Sequence, residues 1–368
     1  MDFDLNEEQR MLAKTVADFC KQDSTVERFR KLRDADGDGW ERRVWQQMGE
    51  LGWLGVPFPE RVGGFGGAFV DAALILEQFG RTLVPEPYLS CLVLGGYALL
   101  LGGSEEQQRR FLAPMVEGRS AVALGWAERR SRFDPSRVET SATRRGDGWH
   151  LEGEKIFVLD GHAADEVVVS ARTDQGVGLF VVPGDAVDRQ LLRLLDGRRG
   201  AHLRLDLDVS DDRRLSVQDG AEVLRRVLDY GAAATVAEGV GVAQSMLSRT
   251  VDYLGEREQF GVKIGSFQAL QHRAVDMFVE VELLRSINME SIVRADEEGI
   301  ERERAISAAK LQLADGGLQV ARQAIQLHGG IGVTDEHDIG LFFKRMHVLA
   351  TVGGDEAHHV ARYAKRMD

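Results

Sequence analysis

Three stretches decide how this chain is read: EREQFG at 256–261 followed by Phe267-Gln268, QLHGGIG at 326–332, and TVGGDE at 351–356. In the first, Arg257 closes a helical pattern just before an aromatic–glycine pair. A guanidinium offers fixed, charged donors that suit a diphosphate. Phe260 is placed to cover a ring, and Gln268 to hydrogen-bond at the next helix start. Taken alone, the run reads more simply as a surface arginine, a core phenylalanine and a turn glycine, because short motifs are unspecific. In the second stretch, Gln326 precedes Gly329, Gly330 and Gly332. Glycines without a Cβ let a phosphate or adenine approach the backbone and let amides point at it. The plain alternative there is a helix C-cap and a turn.

Working outward, the rest of the chain fills in around these motifs. Its 368 residues suffice for roughly two to three domains. Hydrophobic residues make up 43% and charged ones 29%, an ordinary globular mix. A net charge of −13 argues against nucleic acid or an anionic membrane surface as partner. Cys20 and Cys91 lie far apart, which argues against a disulfide framework or a cysteine metal site and fits a reducing cytoplasm. The opening MDFDLNEEQR lacks a signal-peptide core, and the most apolar stretch, 91–101, is too short to span a bilayer.

Residues 1–120 read as helical, with Asn6 and Gln9 forming a capping box and PFPERVGGFGG at 57–67 as a loop. From 121 to 216 the period changes to two. Val122, Leu124 and Trp126 alternate, Trp149–Gly153 turns into Lys155–Leu159, and 166–170, 178–182 and 203–209 read as further short strands. Helical periodicity returns over 217–368. Phe267, Leu270, Ala274, Met277, Phe278, Val281 and Leu284 form one apolar stripe, and an Ala-rich segment runs from about 303 to 328. Helices, then strands, then helices make an α+β layout in separable blocks.

In their order and spacing, after a strand block, the three stretches resemble the C-terminal domain of the acyl-CoA dehydrogenases. The resemblance covers nearly the whole chain and is closest to the small subunits of heteromeric bacterial members. It implies an N-terminal helical domain (1–120), a middle β-barrel or sandwich (121–216) and a C-terminal four-helix bundle (217–368). It also implies FAD, with Arg257, Phe260, Gln268, Gln326, Gly329 and Gly330 contacting the FAD of a neighbouring subunit and Phe157 placed by the ring. The implied partners are an acyl-CoA thioester, electron-transfer flavoprotein as acceptor, and other subunits in a homo- or hetero-oligomer, a dimer or a tetramer.

Forming a 2,3-enoyl thioester requires removal of an α-proton and transfer of a β-hydride to flavin. The protein supplies a base and polarises the thioester carbonyl. Counted from Gly329-Gly330, the glutamate base that the resemblance implies falls on Gly353. The alternative base position, on an earlier helix, falls on about Gly231. Asp355 and Glu356 are the nearest carboxylates and the candidate catalytic residues. Asp355 reads more simply as a helix cap, and it matches a threonine that touches FAD in the family. Glu238, in an Ala/Gly-rich helix, is a third candidate that would need a partner if buried. His328 reads as a packed side chain. His358 and His359 read as surface or interface side chains, with no further ligand at metal spacing. On the strand after Lys155 the family's Trp-x-Thr reads Phe157-Val158-Leu159, so a hydroxyl is lost. The usual Thr-Glu-Pro-Gly turn reads Ala127-Glu128-Arg129-Arg130.

Three readings follow. The chain is a subunit whose base comes from a partner, a self-sufficient homotetramer using Asp355, or a structural partner that binds no flavin.

Overall fold

The computed structural model describes residues 5–366. The first helices are α1 (Glu7–Gln22), α2 (Val26–Asp34), α3 (Arg42–Glu50) and α4 (Phe69–Thr82), and a π-helical turn sequence, Tyr88–Gly96, runs into α5 (Tyr97–Gly102). Asn6 caps α1 with the reciprocal Gln9 contact that its sequence predicts. Two short helices, α6 (Glu105–Gln107) and α7 (Ala113–Val116), precede the strands.

Seven strands form one sheet: β1 (Val122–Gly125), β2 (Ser141–Arg145), β3 (Gly148–Leu159), β4 (Glu166–Thr173), β5 (Gly176–Pro183), β6 (Asp188–Arg193) and β7 (Arg199–Ser210). They run in the order β1-β4-β2-β3-β7-β6, with β5 also on β4. Trp149–Leu159 does not turn at Gly153, as the sequence suggests, but continues as one strand paired along its length with β7. The irregularity comes later, as a bulge between Lys155 and Val158. Bulges of this kind bend a strand and re-aim a side chain.

The C-terminal part holds α8 (Gly220–Glu256), a hairpin of β8 (Glu258–Gln259) and β9 (Val262–Lys263), then α9 (Gln268–Arg294), α10 (Ile300–Gln312), α11 (Leu318–His328), α12 (Ile339–Thr351) and α13 (Glu356–Ala364). The Ala-rich stretch is helical throughout, through a π segment at Leu313–Gly317.

The chain divides into two compact units, with the division inside α8. One unit comprises residues through Lys31, Phe69–Val84 and Ala232 onward. Its core joins Met277, Val281 and Leu284 of α9 to Val240 and Met246 of α8, Val320 and Ala324 of α11, and Phe342 and Met346 of α12. The middle of α8 is buried nearly all round, which explains its uninterrupted small and apolar run. Here α4 and α8 meet backbone to backbone. A Cβ on Gly80 would lie 2.1 Å from the Glu238 carbonyl oxygen, and one on Gly241 1.9 Å from that of Glu77. Phe278, which the stripe on α9 assigns to the core, is half exposed instead, because it sits one position off the buried i, i+4, i+7 line.

The other unit comprises Leu32–Ala68 and Pro85–Gly231. On one face of its sheet Val167, Val169 and Ala171 of β4 pack with Phe180 and Val182 of β5 and with Leu203 and Leu205 of β7, and the middles of β4 and β5 are buried on both faces. No described helix is long and apolar enough to cross a membrane.

Candidate flavin site

In the first unit the arginine and glycine motifs come together. Tyr253, one helical turn before Arg257, stacks on His328, the residue before Gly329, with ring centroids 4.6 Å apart. His328 is buried, and its Nδ1 lies 2.7 Å from the Ala324 carbonyl, which makes it the donor there. Burial holds this imidazole below its ordinary pKa, so it packs as a neutral ring. Arg257, Phe260, Gln268, Gln326, Gly329 and Gly330 are all exposed. Among the described residues Arg257 has no ion-pair partner, unlike most arginines of this chain.

The hairpin turn between β8 and β9 consists of Phe260 (φ 57°) and Gly261 (φ 78°). Two positive φ values define the tight hairpin turn that normally takes Asn-Gly. A bulky residue at the first position is strained. Phe260 nevertheless occupies it, 92% exposed. A strained, solvent-facing aromatic beside an unpaired guanidinium is what a ring-and-diphosphate ligand would use. A Cβ on Gly329 or Gly330 would meet nothing within 4 Å, so the backbone there is open to a ligand. The residues present therefore fit a dinucleotide cofactor.

The second unit has its own strained aromatic. Phe157, on the bulge of β3, has φ 51° and is 61% exposed. A buried ion pair fixes this bulge. Lys155, with no exposed surface, donates to Glu128 Oε1 at 2.5 Å and to Ser170 Oγ at 2.9 Å. Glu128 in turn accepts the backbone N–H groups of Glu139 (2.5 Å) and Thr140 (3.1 Å). Ile156 N–H donates to the Ala127 carbonyl at 2.8 Å. One carboxylate thus gathers both ends of the 128–140 loop and ties them to the strand that presents Phe157. Burial pushes the Lys155 ammonium down to about 8, with Glu128 opposing. Burial also raises Glu128, but the Lys155 charge and the hydrogen bonds outweigh it and hold the carboxyl below its usual range. The pair is ionised at neutral pH. Sequence reading placed Phe157 but missed this pair, whose members are 27 residues apart.

The turn after α12 carries Gly353, the position on which the resemblance places a base. Gly353 has φ 76° and Gly354 φ 126°. The turn is held from beneath. The Lys310 ammonium, fully buried, donates to the carbonyls of Leu349 and Val352, both at 2.7 Å, and to Thr235 Oγ1 at 3.2 Å. Burial pushes this ammonium down to about 7, and Asp355 acts against the shift. His359, read from sequence as a surface or interface side chain, is 1% exposed. Its Nε2 lies 3.2 Å from the Gly353 carbonyl and its Nδ1 3.4 Å from Ser307 Oγ. One proton on Nε2 satisfies the first contact and leaves Nδ1 to accept from the serine. Burial, then the Lys310 charge, pushes its pKa down to about 2.

Two of the three candidate carboxylates, Asp355 and Glu238, are engaged by other groups. Asp355 caps α13, Oδ1 accepting from His358 N–H at 2.9 Å. Glu356 is exposed and lines a surface cleft of about 290 Å³ with Leu311, Gln312 and Tyr363. Glu238 is buried, and its Oε1 lies 2.6 Å from an Arg345 guanidinium nitrogen. At Gly231 a Cβ would come within 2.6 Å of Leu94 Cδ2, so an added side chain there meets packed core.

The chain matches the models of the N-terminal (residues 6–119), middle (123–205) and C-terminal (218–367) domains of acyl-CoA dehydrogenase. It is 30% identical over 354 residues to the probable acyl-CoA dehydrogenase YngJ of Bacillus subtilis, with 92% of each chain covered. It is 27% identical to the caffeyl-CoA reductase-Etf complex subunit CarC of Acetobacterium woodii, covering 95% of each. Among solved structures, the ChsE4-ChsE5 complex of Mycobacterium tuberculosis superposes with a TM-score of 0.91 at 26% identity, over 100% of this chain and 99% of that one. The chain belongs to the acyl-CoA dehydrogenase family, a family of oxidoreductases that carry FAD.

Two measurements check the local account. Replacing Lys155 by Met leaves Glu128 buried without its counter-ion, so urea unfolding should show a loss of about 3–5 kcal/mol. His359 is neutral when folded, whereas an unfolded chain takes up a proton below about pH 6.5. Stability should therefore fall as pH drops below that value, this one site contributing up to about 1.4 kcal/mol per pH unit. Comparison of the wild type with His359→Asn over pH 4–7 should show the shallower slope in the variant.

Proposed function

We propose that this chain is a subunit of a flavin-dependent acyl-CoA dehydrogenase that contributes cofactor-holding surfaces and takes its proton acceptor from a partner subunit. The observation that carries this reading is the turn at 351–355. Gly353 stands where the base is expected, in a left-handed conformation that a glutamate would adopt only under strain. Recruiting Asp355 instead would uncap α13, which costs about 1 kcal/mol. Recruiting Glu238 would strip Arg345 of its buried counter-charge.

Bound FAD supplies the hydride acceptor. The chain's own residues do the rest of the holding. Phe157 covers a ring on the β unit, clamped there by Glu128 and Lys155. Arg257 offsets diphosphate charge, and Gln268, Gln326 and the open backbone at Gly329-Gly330 line its path. These last residues are all exposed, which suits a clasp that closes on a flavin seated on a neighbouring subunit. The likeness to one chain of the two-component ChsE4-ChsE5 complex supports assembly with a different acyl-CoA dehydrogenase chain. The likeness to CarC, a subunit of a complex named with Etf, supports electron-transfer flavoprotein as the acceptor.

The test is anaerobic mixing of the purified, FAD-supplemented chain with short, branched and steroid side-chain acyl-CoA thioesters while the flavin absorbance is followed. The chain alone should not bleach the flavin. Co-purified with a second acyl-CoA dehydrogenase chain that forms a stable complex with it, it should. Bleaching by the lone chain that disappears in Asp355→Asn would transfer the base to Asp355. A partner equally active without this chain would leave this chain a structural role.

A further inference from the structure

His202 stands directly opposite the bulge that presents Phe157. Lys155 pairs with Leu203 and Val158 with Ala201, so Ile156 and Phe157 face one residue on β7, which is His202. Its Nδ1 lies 3.3 Å from the Phe157 N–H. The two rings meet nearly edge to face, at 77°, with centroids 5.3 Å apart. An imidazole that accepts through Nδ1 carries its proton on Nε2. On β7 the neighbours Ala201 and Leu203 are buried in the sheet core, so His202 projects from the opposite face. The result is a hydrogen-bond donor beside an exposed aromatic whose backbone is strained. Fold stability asks for neither, since a solvent-facing Phe with positive φ costs energy. Nor do the following side chains of the strand offer a donor, because Val158 and Leu159 carry only hydrocarbon.

We propose that His202 is the polar contact of this ledge, its Nε2–H donating to an acceptor atom of the flavin ring whose face Phe157 covers. The idea rests on the reading above that the β unit seats a flavin. The Glu128–Lys155 pair sets the bulge, and through it the distance between the ring surface and the donor. Sequence reading passed over His202 because it looks like one more outward polar residue in an alternating strand.

The test is FAD titration of the purified chain, read by flavin fluorescence and by the position of the bound absorbance band, with thermal midpoints measured in parallel. His202→Phe keeps an aromatic ring against Phe157 and removes the donor. His202→Gln keeps a donor and removes the ring. The expected result is about 3- to 10-fold weaker FAD binding and a displaced band for the Phe variant, the worth of one hydrogen bond. The Gln variant should restore most of the affinity. Equal affinity and band position in wild type and His202→Phe would overturn the proposal, as would equal losses in both variants. A wild-type chain that binds no FAD would also overturn it. The partner-supplied base is judged separately, by whether FAD-supplemented chain alone bleaches with thioester.

Discussion

A buried ammonium governs the most informative turn of this protein. Lys310 spends all three of its donors on one hydroxyl and two carbonyls, and those carbonyls close α12. His359 takes the next carbonyl, that of Gly353. With its oxygens gripped from below, the backbone at 353–354 is committed to the left-handed region, and only glycine sits there without strain. The absence of a carboxylate at this point is therefore built into the packing beneath it. A glutamate placed there would have to contend with the conformation that Lys310 and His359 impose.

The surfaces proposed to hold the cofactor are built differently. Two of the exposed phenylalanines, 157 and 260, are kept in strained backbone, one by a buried ion pair and the other by a two-residue turn. Buried ion pairs are poor bargains for stability compared with apolar packing, so the Glu128–Lys155 pair fits a role in setting geometry. On the proposed reading, the chain keeps what positions a ring and a diphosphate and takes its proton acceptor from a partner.

Much of the architecture was legible because periodicity reports burial. The short apolar run at 166–170 and the alternation over 203–209 read as strands, and the i, i+4, i+7 spacing of Met277, Val281 and Leu284 as a core helix. Strands β2 and β6 were not seen because SATRR and DRQLLR are largely exposed and lack an apolar beat. The continuous β3 was read as two pieces because Gly153 looks like a turn. The site was legible as motifs but not as chemistry. Nothing local announces that Glu238 answers Arg345, 107 residues away, or that His359 reaches Ser307, 52 residues away. Such pairings depend on which helices meet, and a single sequence does not state that.

The central claim is that no group of this chain takes the α-proton. It is tested most directly by proton exchange in D₂O, which needs a base but no electron acceptor. The FAD-supplemented chain alone should leave the α-hydrogens of an acyl-CoA thioester unexchanged by NMR, and exchange should appear when the partner chain is added. Rapid α-exchange by the lone chain, lost in Asp355→Asn, would contradict the account.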